Sequence, residues 1–331
     1  MIECIFTLDY EIYGNGDGSL DELVYHPAEK LKAIFKKWDS RLVVFVELAE
    51  LEVIEAQRSD PALHLVKKQI QDFYREGFEL GLHLHPQWYN AQYSSGKWKL
   101  DYREYNLCSL PHERIVQIVE RSLTYLRDIL GTNDFTPLSF RAGNWLFQPT
   151  RDAASVLADR GIKIDSSVFK GGLQHQYGLD YRRAMKNGYY WQFTDNVNVP
   201  APQGILLEIP IYTQMVVPWK MMTSKRVGLQ QKGGSSAYGI KSKVSRITDF
   251  LRLQHPLKLD FCRMTADEII GMWNIIIKED QRDPTTFKPI VTIGHTKDLI
   301  DYDTVESFLA YLKESKINVS TFEAVYKRLR N

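Results

Sequence analysis

This chain is short of cysteine, of net charge and of long apolar runs, and each shortage closes off a class of protein. Its 331 residues include three cysteines, Cys4, Cys108 and Cys262, which lie far apart and form no C-x-x-C pair. So sparse and odd a set argues against a disulfide framework and fits a reducing compartment. The formal net charge is only +1, which argues against nucleic acid or a membrane surface as the main partner. No apolar run reaches the ~18–20 residues that cross a bilayer, so no transmembrane segment is expected. No export leader is visible either, because Met1 runs straight into an apolar strand that carries acidic residues by Asp9. A cytoplasmic protein is the expectation. Internal repeats are absent. Gly14-Asn-Gly-Asp-Gly18 has the wrong spacing for a dinucleotide-binding turn and no helix directly after it, so it reads as a flexible loop.

What remains is a chain long enough for one large domain or two. Strand-like and helix-like patterns alternate along it. Apolar runs at 2–8, 41–46, 78–84, 137–140, 162–164, 205–209 and 289–293 read as strands. Helical spacing covers 27–38, 61–76, 111–130, 150–160, 266–279 and 304–313, and residues 88–110 read as a long loop. Capping boxes are expected at Thr265 with Glu268, Asp303 with Glu306, and Ser320 with Glu323. Strands separated by helices imply right-handed βαβ units and a parallel sheet. About seven repeats suit a barrel, whose site lies at the C-terminal strand ends. Residues 213–262 break the rhythm. Between Lys220 and Lys258 there are nine Lys or Arg and one acid, Asp249, around a Lys232-Gly-Gly-Ser-Ser-Ala-Tyr-Gly239 stretch that reads as mobile. This basic insertion is either a solvated surface segment or a contact surface for an anionic substrate.

The chemistry sits at strand ends. Thr7-Leu-Asp9-Tyr-Glu11 closes the first apolar run and Gly81-Leu-His83-Leu-His85-Pro-Gln-Trp88 closes the third. Residues i and i+2 of a strand share a face, so Asp9 can act beside Glu11 and His83 beside His85. Carboxylates with imidazoles form the ligand set of a divalent-metal site that activates water, and the mixed set leaves the metal open. Either pair alone would be ordinary. The pattern gains weight because three more strands end in polar residues: Ser139-Phe-Arg141-Ala-Gly-Asn-Trp145, Gly161-Ile-Lys-Ile-Asp165-Ser-Ser167 and Ile290-Val-Thr-Ile-Gly-His295.

On these segments the chain resembles the polysaccharide deacetylase family, the NodB-homology carbohydrate esterases. That family carries, in order, an acidic T-x-D-D or T-x-D-x-D, then H-x-x-x-H, R-x-x-x-W or R-P-P-Y, an aspartate-bearing segment, and L-x-I-x-H. Asp9 with Glu11, His83 with His85, Arg141 to Trp145, Asp165, and Ile293 to His295 fall in that order. The resemblance runs from residue 2 to about 296, with the basic insertion outside it. The common histidine spacing would put the second ligand at Gln87; this chain offers His85 instead, on the same face as His83. Tyr10 stands where many relatives have the second aspartate.

The resemblance implies a distorted (β/α)7-type barrel, an α/β single domain over residues 1–331 with 213–262 inserted. It implies a divalent metal ion, zinc foremost, held by Glu11, His83 and His85. Asp9 would be the general base, His295 the acid that protonates the departing amine, and Arg141 the cation that keeps Asp9 ionised. Asp165 would tune His295 or fix a loop, and Trp88 and Trp145 would wall a sugar ring. The implied activity is removal of an N-acyl group, N-acetyl foremost, from an amino sugar in a glycan or a nucleotide- or lipid-linked sugar of surface-polysaccharide or O-antigen assembly. Two alternatives keep the fold: a metal-free hydrolase of cyclic amides or formyl groups, and an inactive carbohydrate-binding protein.

Overall fold

In the computed structural model of the protein, residues 1–185, 188–221, 223, 225, 228 and 254–330 are described. Strand β1 (Ile2–Tyr10) is buried from Glu3 onward without alternation, as a parallel strand covered on both faces must be. The chain then alternates: α1 (His26–Lys37), β2 (Val43–Glu47), α2 (Leu48–Gln57), α3 (Leu63–Arg75) and β3 (Glu79–Leu84). A small hairpin, β4 (Gln92–Ser94) with β5 (Lys97–Lys99), lies within the long loop before α4 (His112–Leu130). Then come β6 (Ser139–Ala142), α5 (Arg151–Asp159), β7 (Ile164–Asp165), the pair β8 (Leu173–Gln174) and β9 (Leu179–Asp180), β10 (Trp191–Phe193) and β11 (Leu206–Glu208). The last part holds β12 (Thr213–Val216), β13 (His255–Lys258), α6 (Ala266–Arg282), β14 (Lys288–His295), α7 (Tyr302–Glu314), β15 (Asn318–Ser320) and α8 (Phe322–Arg330).

The main sheet runs β10-β11-β7-β6-β3-β2-β1-β14, with β15 also on β1; only β10 is antiparallel. It curls into a distorted β/α barrel, and parallel bridges from Phe169 to Ile211 and from Ile211 to Val291 cross the gap towards β14. The α/β barrel expected from the βαβ rhythm is therefore present. Strands β12 and β13 pair antiparallel at the two ends of the basic segment. The glycine-rich Lys232–Gly239 stretch lies outside the described residues.

Three local expectations need correction. Helix α2 carries no visible stripe in sequence because Leu48, Ala49, Glu50, Leu51, Val53 and Ile54 are all buried, leaving little polar face to mark it. Thr265 and Glu268 do form a capping box on α6, but α7 starts earlier than expected. There the Asp301 carboxylate accepts from the Thr304 N–H at 3.0 Å. At α8 the cap is Thr321, whose hydroxyl accepts from Ala324 N–H at 3.3 Å, while Glu323 N–H donates to Glu79 at 2.9 Å. No helix among the described residues is long and apolar enough to cross a membrane.

Candidate functional site

Strand register assembles the polar residues. Asp9 on β1 lies opposite His295 on β14, Glu47 on β2 opposite His83 on β3, and His83 opposite Arg141 on β6. One step along, Asp165 on β7 pairs with Phe140 and with Glu208 on β11. All lie at the C-terminal ends of parallel strands, where carbonyls and side chains face the barrel mouth. Period-two alternation also explains Tyr10. It points away from Asp9 and Glu11 into the core, and its hydroxyl donates to Gln69.

Two donor groups form there. Glu11, His83 and His85 offer ligand atoms that all lie within 4.8 Å of one another, and so do Asp9, Glu11 and His295. Glu11 Oε2 is 3.0 Å from His85 Nε2 and 3.6 Å from His83 Nε2. The His83 Nδ1–H donates to the Arg141 carbonyl at 2.8 Å, so Nε2, buried and without a hydrogen-bond partner, is the atom whose lone pair faces inward once the ring is neutral. That is the tautomer a metal ligand requires. His85 Nδ1 lies 3.2 Å from the Gln87 amide and 3.2 Å from the Asn144 amide. Gln87 Oε1 is itself buried and unpartnered. Rotating that amide lets Oε1 accept from Nδ1–H and frees His85 Nε2. Of the two residues that the sequence left open, His85 reaches Glu11 and Gln87 orients His85. The donor set thus fits a divalent ion that tolerates nitrogen and oxygen together, with imidazole favouring zinc.

Charge at the site is strongly compensated. Burial would push the Asp9 carboxyl up, but the Arg141 guanidinium and the His83 and His295 rings outweigh it and hold Asp9 below the ordinary carboxylate range. Arg141 Nη1 donates to Asp9 Oδ1 at 2.6 Å, its Nε to Ser166 O at 2.9 Å, and its plane lies on the Phe45 ring at 4.2 Å. Burial disfavours an imidazolium at His83, yet Asp9, Glu11 and Glu47 together push its pKa up to about 9. Burial lowers the pKa of His85 and of His295. Glu47 is pushed by burial to about 8 while its oxygens accept from the backbone N–H groups of His85 and Glu50. His83 and Glu47 therefore hold protons that a cation bound beside them would displace.

Residues that the motifs did not mark complete the site. Lys297 Nζ lies 2.6 Å from Glu11 Oε1, and together the Glu11 and Asp298 carboxylates raise its pKa despite burial. Asp298 Oδ2 is 4.0 Å from His295 Nδ1 and is clasped by Arg263 Nε at 2.8 Å. Both lie within three residues of His295, a signal within reach of the sequence. Glu47 ends β2 just as Asp9 and His83 end their strands.

One expected role is narrowed and another is overturned: of the two alternatives for Asp165, fixing a loop is the one seen. Asp165 does not reach His295. It accepts from the Ser167 hydroxyl at 2.7 Å and its carboxyl is shared with buried Glu208, so it shapes the turn under Arg141, and the carboxylate beside His295 is Asp298. Trp88 is only 1 % exposed and packs edge-on against Trp98, so it offers no wall to a ligand. Trp145 does stand at the site, its ring centroid 6.1 Å from that of His295. Asn144 (φ 54°) and Trp145 (φ 61°) both adopt the left-handed conformation, a cost of order 1–3 kcal/mol each that is usual where a turn must aim side chains.

Gly143 precedes that turn, and a Cβ there would sit 2.5 Å from Leu84 O and 2.8 Å from the His85 ring. Gly143→Ala should therefore cost about 1–3 kcal/mol and displace His85. Denaturant unfolding measures the first, and an unchanged midpoint would contradict the close approach.

No protein-family model and no curated protein matches the sequence. Solved structures do match. The chain is similar to a protein from Mycobacterium smegmatis assigned as a polysaccharide deacetylase, at 14% identity over 99% of this chain and 90% of that one, TM-score 0.56. It is similar to another so assigned from Pseudomonas aeruginosa PAO1, at 12% identity over 98% and 90%, TM-score 0.52. It also matches a GH57 branching enzyme from Thermococcus kodakaraensis, at 10% identity over 98% of this chain and 70% of that one, TM-score 0.56. The protein has the polysaccharide deacetylase fold, as the motif order implied. Because a branching enzyme shares the architecture, the site and not the fold must choose the chemistry.

Proposed function

We propose that the protein is a metal-dependent hydrolase that removes an N-acyl group, N-acetyl foremost, from an amino sugar. One observation carries this reading: the Nε2 atoms of His83 and His85 converge on Glu11 Oε2 next to a carboxylate, Asp9, that has its own cation and its own histidine. Glu11, His83 and His85 would hold the ion, which would make a water at the site more acidic and polarise the amide carbonyl. Asp9 takes the attacking water's proton on a carboxylate that Arg141 keeps ionised and oriented. His295, with Nε2 3.4 Å from Asp9 Oδ2, delivers a proton to the amine as it departs, and Asp298 offsets the charge on the ring in its protonated form. Trp145 borders the sugar. The near-neutral chain, its sparse cysteines and the Lys/Arg excess between Lys220 and Lys258 support a cytoplasmic, nucleotide- or lipid-linked amino sugar of surface-polysaccharide or O-antigen type.

One feature favours a second reading, a metal-free hydrolase of cyclic amides: Lys297 already supplies Glu11 with a cation at 2.6 Å. Elemental analysis of untagged protein separates the two. About one equivalent of zinc or another transition metal is expected, lost in His85→Ala. Gln87→Ala should keep the site with affinity lowered about 10–100-fold, as removal of an orienting partner does. Protein that takes up no metal after loading would overturn the metal-dependent reading.

A further inference from the structure

Among the described residues, several lysines withdrawn from water are paired with carboxylates. Lys297 is bound to Glu11, Lys288 to Asp280, Lys225 to Asp301 and Lys32 to Glu29. Lys258, half-buried at the end of β13, is not. Among the described residues no carboxylate pairs with its ammonium and no protein acceptor bonds to it. Its Nζ lies instead 3.0 Å from the centroid of the Trp145 ring and 4.5 Å from that of Phe169. The charges that act on it, Asp260, Asp9, Arg263 and Arg141, are already committed, Asp9 to Arg141. Asp260 accepts from the N–H groups of Cys262 and Arg263 at 3.0 and 3.1 Å, and Arg263 clasps Asp298.

The position is fixed by backbone pairing. Lys258 is in register with Thr213 on β12. The next residue, Leu259, donates to Tyr212 O at 2.8 Å and accepts from Ile293 N–H at 2.9 Å, two residues before His295. Strand β13 therefore carries an unpaired ammonium from the edge of the basic segment to the mouth of the barrel. There it rests on the tryptophan that borders His295. An aromatic face attracts a cation but does not neutralise it, and in a partly dehydrated setting an anion gains more from such a cation than in water.

We propose that Lys258 is a specificity-determining residue, its ammonium receiving an anionic group, phosphate or carboxylate, carried by the N-acyl amino sugar. This rests on the deacylase reading and narrows its substrate to an acidic sugar. Burial and the Arg263 guanidinium pull the Lys258 ammonium down to about 7, and a bound anion opposes that pull. Near-neutral net charge does not argue against this local preference, because a single oriented cation acts at short range.

The test is calorimetric binding of three probes, N-acetylglucosamine 1-phosphate, N-acetylmuramic acid and neutral N-acetylglucosamine, to the full chain and to Lys258→Met. Methionine keeps an unbranched stem against Trp145 and removes the charge. The wild type should bind at least one acidic probe about tenfold or more tightly than the neutral sugar. Lys258→Met should erase that preference while neutral-sugar affinity and thermal midpoint stay unchanged, and Lys258→Arg should restore it. Preference for the phosphate alone assigns a phosphate-linked sugar; preference for the carboxylate alone assigns an acidic sugar. Equal binding of all three by the wild type overturns the proposal. So does a preference that survives Lys258→Met, or an equal loss of neutral-sugar affinity. Acetate release is followed on the same probes. An anion preference through Lys258 without amide turnover leaves the binding site standing and removes the deacylase reading; turnover without the preference does the reverse.

Discussion

Replacing Arg141 by methionine should lower folding stability by about 3–5 kcal/mol, the cost of stranding a buried charge. The side chain is 0 % exposed and its guanidinium donates to Asp9, to the Ser166 carbonyl and, at 3.2 Å, to the Ser166 hydroxyl, tying β1 to the turn after β7. Without it the Asp9 carboxylate is left with the His83 and His295 rings against the like charge of Glu11, and the Asp165–Glu208 pair loses the nearby cation that favours its charge. Arg141→Lys keeps the charge but not the fork, so a smaller loss is expected. Asp9→Asn in the Arg141→Met background should recover part of the stability, because the stranded charge is then gone. Denaturant midpoints of the wild type, these three variants and Asp9→Asn alone check this. Simple additivity would show that the pair is not coupled.

Asp9→Asn by itself should cut kcat about 10²–10⁴-fold, the usual worth of a positioned general base, on whichever N-acyl amino sugar the wild type turns over. Asparagine still offers an oxygen to Arg141 Nη1, so the fold and the metal content should survive. A variant with full turnover would remove Asp9 from the base role. A wild type that binds sugar as well as Asp9→Asn does, with neither releasing acid from any amide, would leave only the carbohydrate-binding reading.

Much of the barrel was legible because buried parallel strands appear as unbroken apolar runs, and the polar residues that stop those runs fall at their C-terminal ends. Asp9, His83, Arg141 and His295 were all found that way. Helix α2 was not, since it is buried on nearly every side and has no amphipathic period to detect. Trp88 was misread for a related reason. A tryptophan at a strand end has the same signature whether it faces a ligand or, as here, Trp98. Asp165 shows the limit of motif order: its place in sequence was right for the fold, but Ser167 and Glu208 hold it, and His295 does not.

By itself the sequence determined the βαβ alternation, the strand ends that carry chemistry and the face shared by His83 and His85, all of which follow from the periods of strand and helix. Which side chains meet was decided only in three dimensions. Arg141 reaches Asp9 across 132 positions and Lys297 reaches Glu11 across 286, because β14 pairs with β1 and the curl of the sheet brings the end of β6 across the barrel to β1. Tertiary packing also brought His85 to Glu11, put Asp298 beside His295, and brought Lys258 on to Trp145. Local periodicity reports which way a residue faces. The neighbour it faces is set by strand pairing, whose long-range register no local pattern encodes.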